Sequence, residues 1–283
     1  MRRSGWVLTL VVLAGVGMGC EDTVTTASPE DLAPPLGLRS VTGDGSVHLY
    51  WEASNYGEGR QGFQIYMTTG YQSGTPEGIP AAFGDMPLGS VEDASSAGEF
   101  SATVNGLVNG QTYSFLVVAY KNDGDKISRS SNIVSDTPRR ETPSEVQLHN
   151  GSGNTRYLDL SGDPVIPSTS ATGADILCQS FNAGLGDRHG MVGQNGALVQ
   201  DLGFVSTWDE IDAAPAGAGS YPDAAYSVQV LPGHVYAVFT GDGHYAKIWV
   251  TSVNSADFGF SCLVAYQPQT GNNNLSADVP FGN

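Results

Sequence analysis

Three cysteines and a handful of histidines are the side chains in this 283-residue chain best able to do chemistry. Cys20 follows Gly17-Met18-Gly19, which in turn closes an apolar run from Trp6 to Val16 opened by Arg2 and Arg3. A positive start, an apolar stretch of about 11 residues and small residues before a cleavage point describe an export leader. A bilayer span needs about 20 apolar residues, so this run is too short to cross by itself. Cys178 and Cys262 are the other two cysteines. In an oxidising compartment they are expected to pair. A bridge between them closes a loop of about 85 residues, for which chain-entropy reasoning gives roughly 4–5 kcal/mol. The alternative is two separate buried thiols. His149, His189, His234 and His244 are the histidines of the second half.

Several reaction classes lack their residues. The chain has no His-Glu-x-x-His, no Cys-x-x-Cys, no Gly-x-Ser-x-Gly elbow and no Walker loop. Asp209, Glu210 and Asp212 cluster near Thr207, where first-turn carboxylates favour a helix dipole without any catalytic duty. Asp123, Asp125 and Asp242 fall at hairpin tips and do not form a full calcium loop. No cofactor is therefore expected from motifs, and the chain is read as non-enzymatic.

The leader and Cys20 resemble the signal and lipobox of bacterial lipoproteins. That resemblance implies a diacylglycerol on the Cys20 thiol, cleavage before it, and anchorage in the bacterial cell envelope, at the inner or outer membrane. Gly17 and Met18 depart from the family's usual residues. At roughly 0.8 kcal/mol per buried methylene, two or three acyl chains hold a protein nearly permanently. The charge agrees with a lipid rather than an electrostatic attachment. Lys and Arg number 12 against 29 Asp and Glu, giving −17, and loss of Arg2 and Arg3 takes this to −19. Such a surface repels phosphate backbones and anionic headgroups, so no nucleic-acid partner is expected.

The elements that would carry these groups are short strands between Gly- and Pro-rich turns, so the expected fold class is all-β. The division is a signal over 1–19, a tether over 20–33, a first β module over 34–139 and a linker over 140–155. A second β-rich module follows over 156–268, with a fraying tail over 269–283. In the first module Val47, Leu49 and Trp51 alternate on one strand, and Phe63, Ile65 and Met67 on another. Leu107-Val108-Asn109-Gly110-Gln111-Thr112-Tyr113 leads into Phe115 and Val117, while Gly70 to Gly98 is an irregular excursion. The Pro-rich start, Trp51 and the Leu…Tyr corner resemble a fibronectin type III domain, which implies a β-sandwich serving as spacer or protein-binding unit.

In the second module Thr207 and Glu210 have capping-box spacing and predict one short helix. His234 to Thr240 turns through Gly241-Asp242-Gly243 into His244 to Val250, with Phe258 to Tyr266 as a third antiparallel strand. Tyr245, Lys247 and Trp249 share one face, and Ala246, Ile248 and Val250 the other. The string Gly243 to Val250, followed by Val264-Ala265-Tyr266-Gln267, resembles the HmuY-like family of surface lipoproteins. Named members of that family bind haem through paired histidines, which makes haem the alternative ligand here and His189, His234 and His244 its candidate ligands. Pairing of Thr240 with His244 puts His234 about 20 Å down the ladder at roughly 3.3 Å per residue, so those two cannot clamp one iron. His189 lies in the loop from Gly184 to Gly190. Protein, glycan and haem remain the candidate partners beside the membrane.

Overall fold

The structure is a computed structural model that describes residues 32–275, apart from 55–58, 93–96, 152, 183, 185, 224 and 225. Cys20 and the leader lie outside the described residues. The fold is all-β, built as two successive sandwiches.

The first sandwich packs β1 (Leu36–Gly43), β2 (Ser46–Ala53) and β5 (Gly98–Asn105) against a second sheet. That sheet runs β4 (Gly89–Glu92), β3 (Gly62–Thr69), β6 (Tyr113–Lys121), β7 (Lys126–Ser130), with β8 (Val134–Asp136) also on β6. Alternation places Val47, Leu49 and Trp51 of β2 inward against Phe63 and Ile65 of β3 and Phe115 and Val117 of β6. Trp51 is fully buried and meets Phe63 edge-on at 5.4 Å between centroids, a favourable aromatic geometry. Leu32 joins this core, so the first sandwich begins inside the segment expected to be tether.

β6 is buried on both faces, which explains the long excursion between β3 and β5. Phe83 of the excursion covers Tyr66, Leu116 and Val118 on the outer face of the sheet. Backbone pairing from Ile133 N–H to Gly74 O at 2.7 Å and the Ser130 hydroxyl to Pro76 O at 2.6 Å holds it down. The excursion also contributes β4, so it is an ordered cover rather than an irregular insertion.

The second sandwich has one sheet in the order β10 (Val146–Leu148), β19 (Gly259–Gln267), β18 (Tyr245–Asn254), β17 (His234–Phe239), β15 (Leu198–Phe204). β9 (Arg140–Glu141) adds to β19. The facing sheet runs β12 (Pro167–Ser168), β11 (Tyr157–Leu158), β13 (Ile176–Asn182), β14 (Asp187–Gly193), β16 (Val228–Gln229). Ala246, Ile248 and Val250 of β18 point inward to Leu158, Ile176 and Met191 of the facing sheet.

Four sequence expectations are corrected here. The linker over 140–155 supplies β9 and β10, because Val146 and Leu148 are apolar on one face and bury themselves on β19. The tail does not fray as far as Leu275, which is fully buried against Ala214, Tyr221 and Tyr245; residues 276–283 lie outside the described residues. The predicted helix is a single 3-10 turn, Trp208–Glu210, in which the Glu210 carboxylate accepts from Ser206 N–H at 2.8 Å and Thr207 N–H at 3.1 Å. The loop expected around His189 is instead β14, paired along β13 from Ile176↔Gly193 to Asn182↔Asp187.

Both sandwiches use the same corner. Val108 N–H donates to the Tyr113 hydroxyl at 3.0 Å in the first, and Leu231 N–H to the Tyr236 hydroxyl at 2.9 Å in the second. Each tyrosine thus bonds the backbone five residues upstream, as in the tyrosine corner of sandwich folds. Gly110 and Gly233 occupy the equivalent step with φ of 82° and 79°, a left-handed conformation that glycine adopts without strain.

Candidate functional site

The joint between the sandwiches forms a groove of about 540 Å³, within the range of ligand pockets. One wall comes from first-sandwich turns. Asn109 holds it in shape by donating to Asp44 Oδ1 and accepting from Gly45 N–H, both at 2.8 Å. The other wall is the stretch from Gly162 to Pro167, and the floor includes Val146, Val264 and Tyr266.

Arg140 organises the second wall. Register pairs it with Tyr266 on β19, and its guanidinium lies 4.8 Å from the Tyr266 ring centroid. Its two terminal nitrogens donate to Gly162 O at 3.2 Å and Ser161 O at 2.8 Å. Its positive charge is thereby committed to local carbonyls, while Asp44, Glu141, Glu145 and Asp163 also line the groove. Behind this wall Asp175 accepts from Leu160 N–H at 2.9 Å. Burial pushes its carboxyl up to about 6, with Asp159 and Asp242 adding repulsion and the Leu160 bond opposing it. The described residues lining the groove include the hydroxyls of Thr142 and Ser144 beside these carboxylates.

The joint is tightly locked beneath the groove. Arg139 is fully buried. Its backbone N–H donates to Gly43 O at 3.1 Å, its Nη1 to Thr42 O at 2.6 Å and its Nη2 to Glu141 Oε1 at 2.5 Å. Gln267, also fully buried, donates to Thr137 O at 3.1 Å. Gln269 reaches Thr112 Oγ1 at 3.2 Å. Nothing in the sequence around Arg139, Gln267 or Gln269 signals these roles, since buried arginine and glutamine carry no periodicity of their own.

The candidate haem ligands lie on three different elements. His189 sits on β14, with Nδ1 3.2 Å from Gly259 O and its ring against Phe258. His234 starts β17, with Nδ1 3.0 Å from Asp201 Oδ1. His244 closes the hairpin tip opposite Thr240; its Nε2 lies 3.0 Å from the Thr270 hydroxyl, and its Nδ1 is 3.1 Å from Asp242 Oδ1 but out of hydrogen-bond alignment. Each histidine is engaged by its own neighbours. His149 pairs separately with Asp257 at 2.7 Å. Among the described residues no cluster of three or more His, Cys, Asp or Glu side chains could hold a metal ion. One ring nitrogen of each of the three candidates is held by its own neighbour, on β14, at the start of β17 and at the turn after it, an arrangement that by itself identifies no axial pair.

Cys178 and Cys262 differ from expectation as well. Both are free thiols here. They are fully buried in one core cluster, Cys178 on β13 and Cys262 on β19 of the facing sheet. The outward face of β18 is mostly covered, which answers the choice the sequence left open. Tyr245 and Lys247 are buried and Trp249 is half-buried.

No family profile matches this chain, and no curated protein matches it. Among solved structures, one titled "Myokine structure" is 18% identical over 38% of this chain and the whole of that one, with a TM-score of 0.26. At that score the likeness carries no argument about fold or function.

Proposed function

We propose that this chain is a non-enzymatic, lipid-anchored protein of the bacterial envelope. The first sandwich is a fibronectin-like spacer, and the second, together with the joint groove, is a binding unit held at a fixed angle to it. The observation that carries this reading is the joint, where fully buried Arg139 bonds Glu141 of β9 and fully buried Gln267 bonds Thr137 O. Burying a guanidinium is expensive unless its donors are met. The guanidinium donates to Thr42 O of β1 and to Glu141 on β9, which pairs with β19, so one side chain ties the two sandwiches and favours a fixed relation over a flexible hinge. That is the property a presenting arm needs, and inter-domain freedom is otherwise the ordinary outcome.

The fibronectin reading is supported by the three-stranded sheet facing β4-β3-β6-β7, by Trp51 in the core and by the Tyr113 corner. The lipid anchor is supported by the leader and Cys20. The groove's four carboxylates, Asp44, Glu141, Glu145 and Asp163, beside one committed arginine favour a neutral or cationic ligand over an anionic one.

The test is metabolic labelling with palmitate in cells making the wild-type chain or Cys20→Ser. Wild type is expected to take up label and fractionate with membranes, and Cys20→Ser to do neither. Label retained by Cys20→Ser overturns the anchor. The same wild-type preparation mixed with micromolar haemin is expected to show no Soret shift, and a saturable Soret band would favour a haem carrier instead.

A further inference from the structure

We propose that the joint groove binds an extended polypeptide segment carrying a basic side chain, laid along the outer edge of β10. This rests on the reading of the groove as a binding unit and names its partner. Both sheets of the second sandwich end here. β10 is the last strand of one and β12 the last of the other, and Val146, Gln147 and Pro167 line the groove. The hydrogen-bond parity of β19 fixes which way the edge faces. Thr142 N–H donates to Val264 O at 2.9 Å, so the even-numbered residues of β19 turn their backbone groups towards β9 and β10. Val146 stands opposite Cys262 and Leu148 opposite Phe260. Those pairs therefore exchange bonds, and the N–H and C=O of Gln147 between them face away from β19. No described strand pairs with that side of β10. Two residues on, His149 N–H faces the same way and is taken by Thr155 O at 3.1 Å, which closes the edge at that end. An open edge is a template for an incoming strand, and β-augmentation is how extended peptides use one.

Gln147 offers one donor and one acceptor, too few to hold a peptide by themselves, so the side chains of the groove decide what binds. Ile166 is 63% exposed in the groove wall, beside half-buried Val165. Together they give the methylene stem of a lysine or arginine an apolar surface to lie on. Of the four carboxylates, Glu141 is paired with Arg139, and Asp163 lies 3.9 Å from Arg140. Glu145 is exposed two residues before Gln147, and Asp44 faces it from the first-sandwich side of the groove. Four carboxylates against two guanidiniums leave an excess of negative charge, in a chain whose net charge is −17. An incoming ammonium or guanidinium is drawn to that excess, and an acidic segment is repelled.

The experiment uses the full chain carrying Cys20→Ser and a fluorescein-labelled octapeptide of alternating threonine and lysine. The expected result is a saturable rise in anisotropy at micromolar protein, weakened by added salt. The same peptide with glutamate in place of lysine should not bind. Amide exchange should slow over residues 145–147 in the complex. Glu145→Lys should weaken binding about tenfold or more by setting like charge at the groove, and Gln147→Pro should weaken it by removing the outward N–H. Proline is compatible with an edge strand when its nitrogen faces outward, so Gln147→Pro should keep the wild-type circular dichroism and urea midpoint. Equal binding of the two peptides, or binding that neither variant changes, overturns the proposal. Spermine, titrated by calorimetry, separates this inference from the reading beneath it. Spermine bound in a Glu145-dependent way where the lysine peptide does not bind leaves the groove a binding unit and overturns the strand partner. If neither binds, the cationic-ligand reading of the groove falls with it.

Discussion

Lys247 shows how far a single charged residue can be drawn into a sheet protein. It is fully buried, donates to Trp208 O at 2.9 Å and Ile211 O at 3.0 Å, and lies 4.8 Å from the Trp208 ring centroid. Ala237 and Ala265 pair with it on either side, and their small side chains leave room for its stem. Bonds to carbonyls and an aromatic face offset its desolvation. Asp175 is the converse case, a carboxyl whose ionisation burial opposes. Its folded value of about 6 stands above the ordinary 3.8, so the folded state binds the proton more tightly than the unfolded one. Stability is therefore expected to fall as pH rises from about 4 through about 6. Asp175→Asn keeps an oxygen for the Leu160 N–H but cannot ionise. Urea midpoints of wild type and variant should converge near pH 4, with the variant higher at pH 7. A wild-type advantage at pH 7 would contradict the assignment. The roles of Lys247 and Asp175 were hidden in the sequence, because each depends on the chain segment folded over it, Trp208 to Ile211 in one case and Leu160 in the other.

At the scale of elements, legibility tracked strand length and alternation. β2, β3, β6, β17, β18 and β19 were readable because each carries alternating or continuous apolar residues over six residues or more. β9 and β10 span two and three residues, too few for a period to register. β14 was masked by Gly184, Gly186 and Gly190, which read as a loop. Gly190 nevertheless belongs in the strand, because Phe181 packs against the place its Cβ would occupy, 2.6 Å away. The corner at Tyr113 was legible, whereas its counterpart at Tyr236 was not, since Leu231-Pro232-Gly233 looks like a simple strand stop. Tyr236 is fully buried, and its hydroxyl accepts from Leu231 N–H and donates to Gln229 O at 2.8 Å. Tyr236→Phe leaves both backbone groups short of a partner and should cost about 1–3 kcal/mol in urea unfolding. A change within 0.3 kcal/mol, roughly the scatter of a surface substitution, would show that the corner is decorative.

For the whole molecule, net charge was readable, and the mutual arrangement of the modules was not. A stretch rich in Arg, Glu, Pro and Ser reads as a flexible linker, yet here Arg139 is sunk into the first sandwich and Glu141 paired on β19. The side chains of the tail complete the joint, with Gln269 at Thr112 and Asn274 Nδ2 3.4 Å from Asp136 Oδ1. Contacts of this kind join sequence-distant segments, so local pattern cannot announce them. They make the protein one arm rather than two beads. Small-angle scattering of the full Cys20→Ser chain, beside the same chain with Arg139→Ala and Gln267→Ala, tests that claim most directly. The account predicts that one fixed arrangement of residues 32–275 fits the unsubstituted joint, and that the double variant has a broader distance distribution at unchanged secondary structure. A profile that already demands a range of inter-sandwich angles with the joint intact would contradict it.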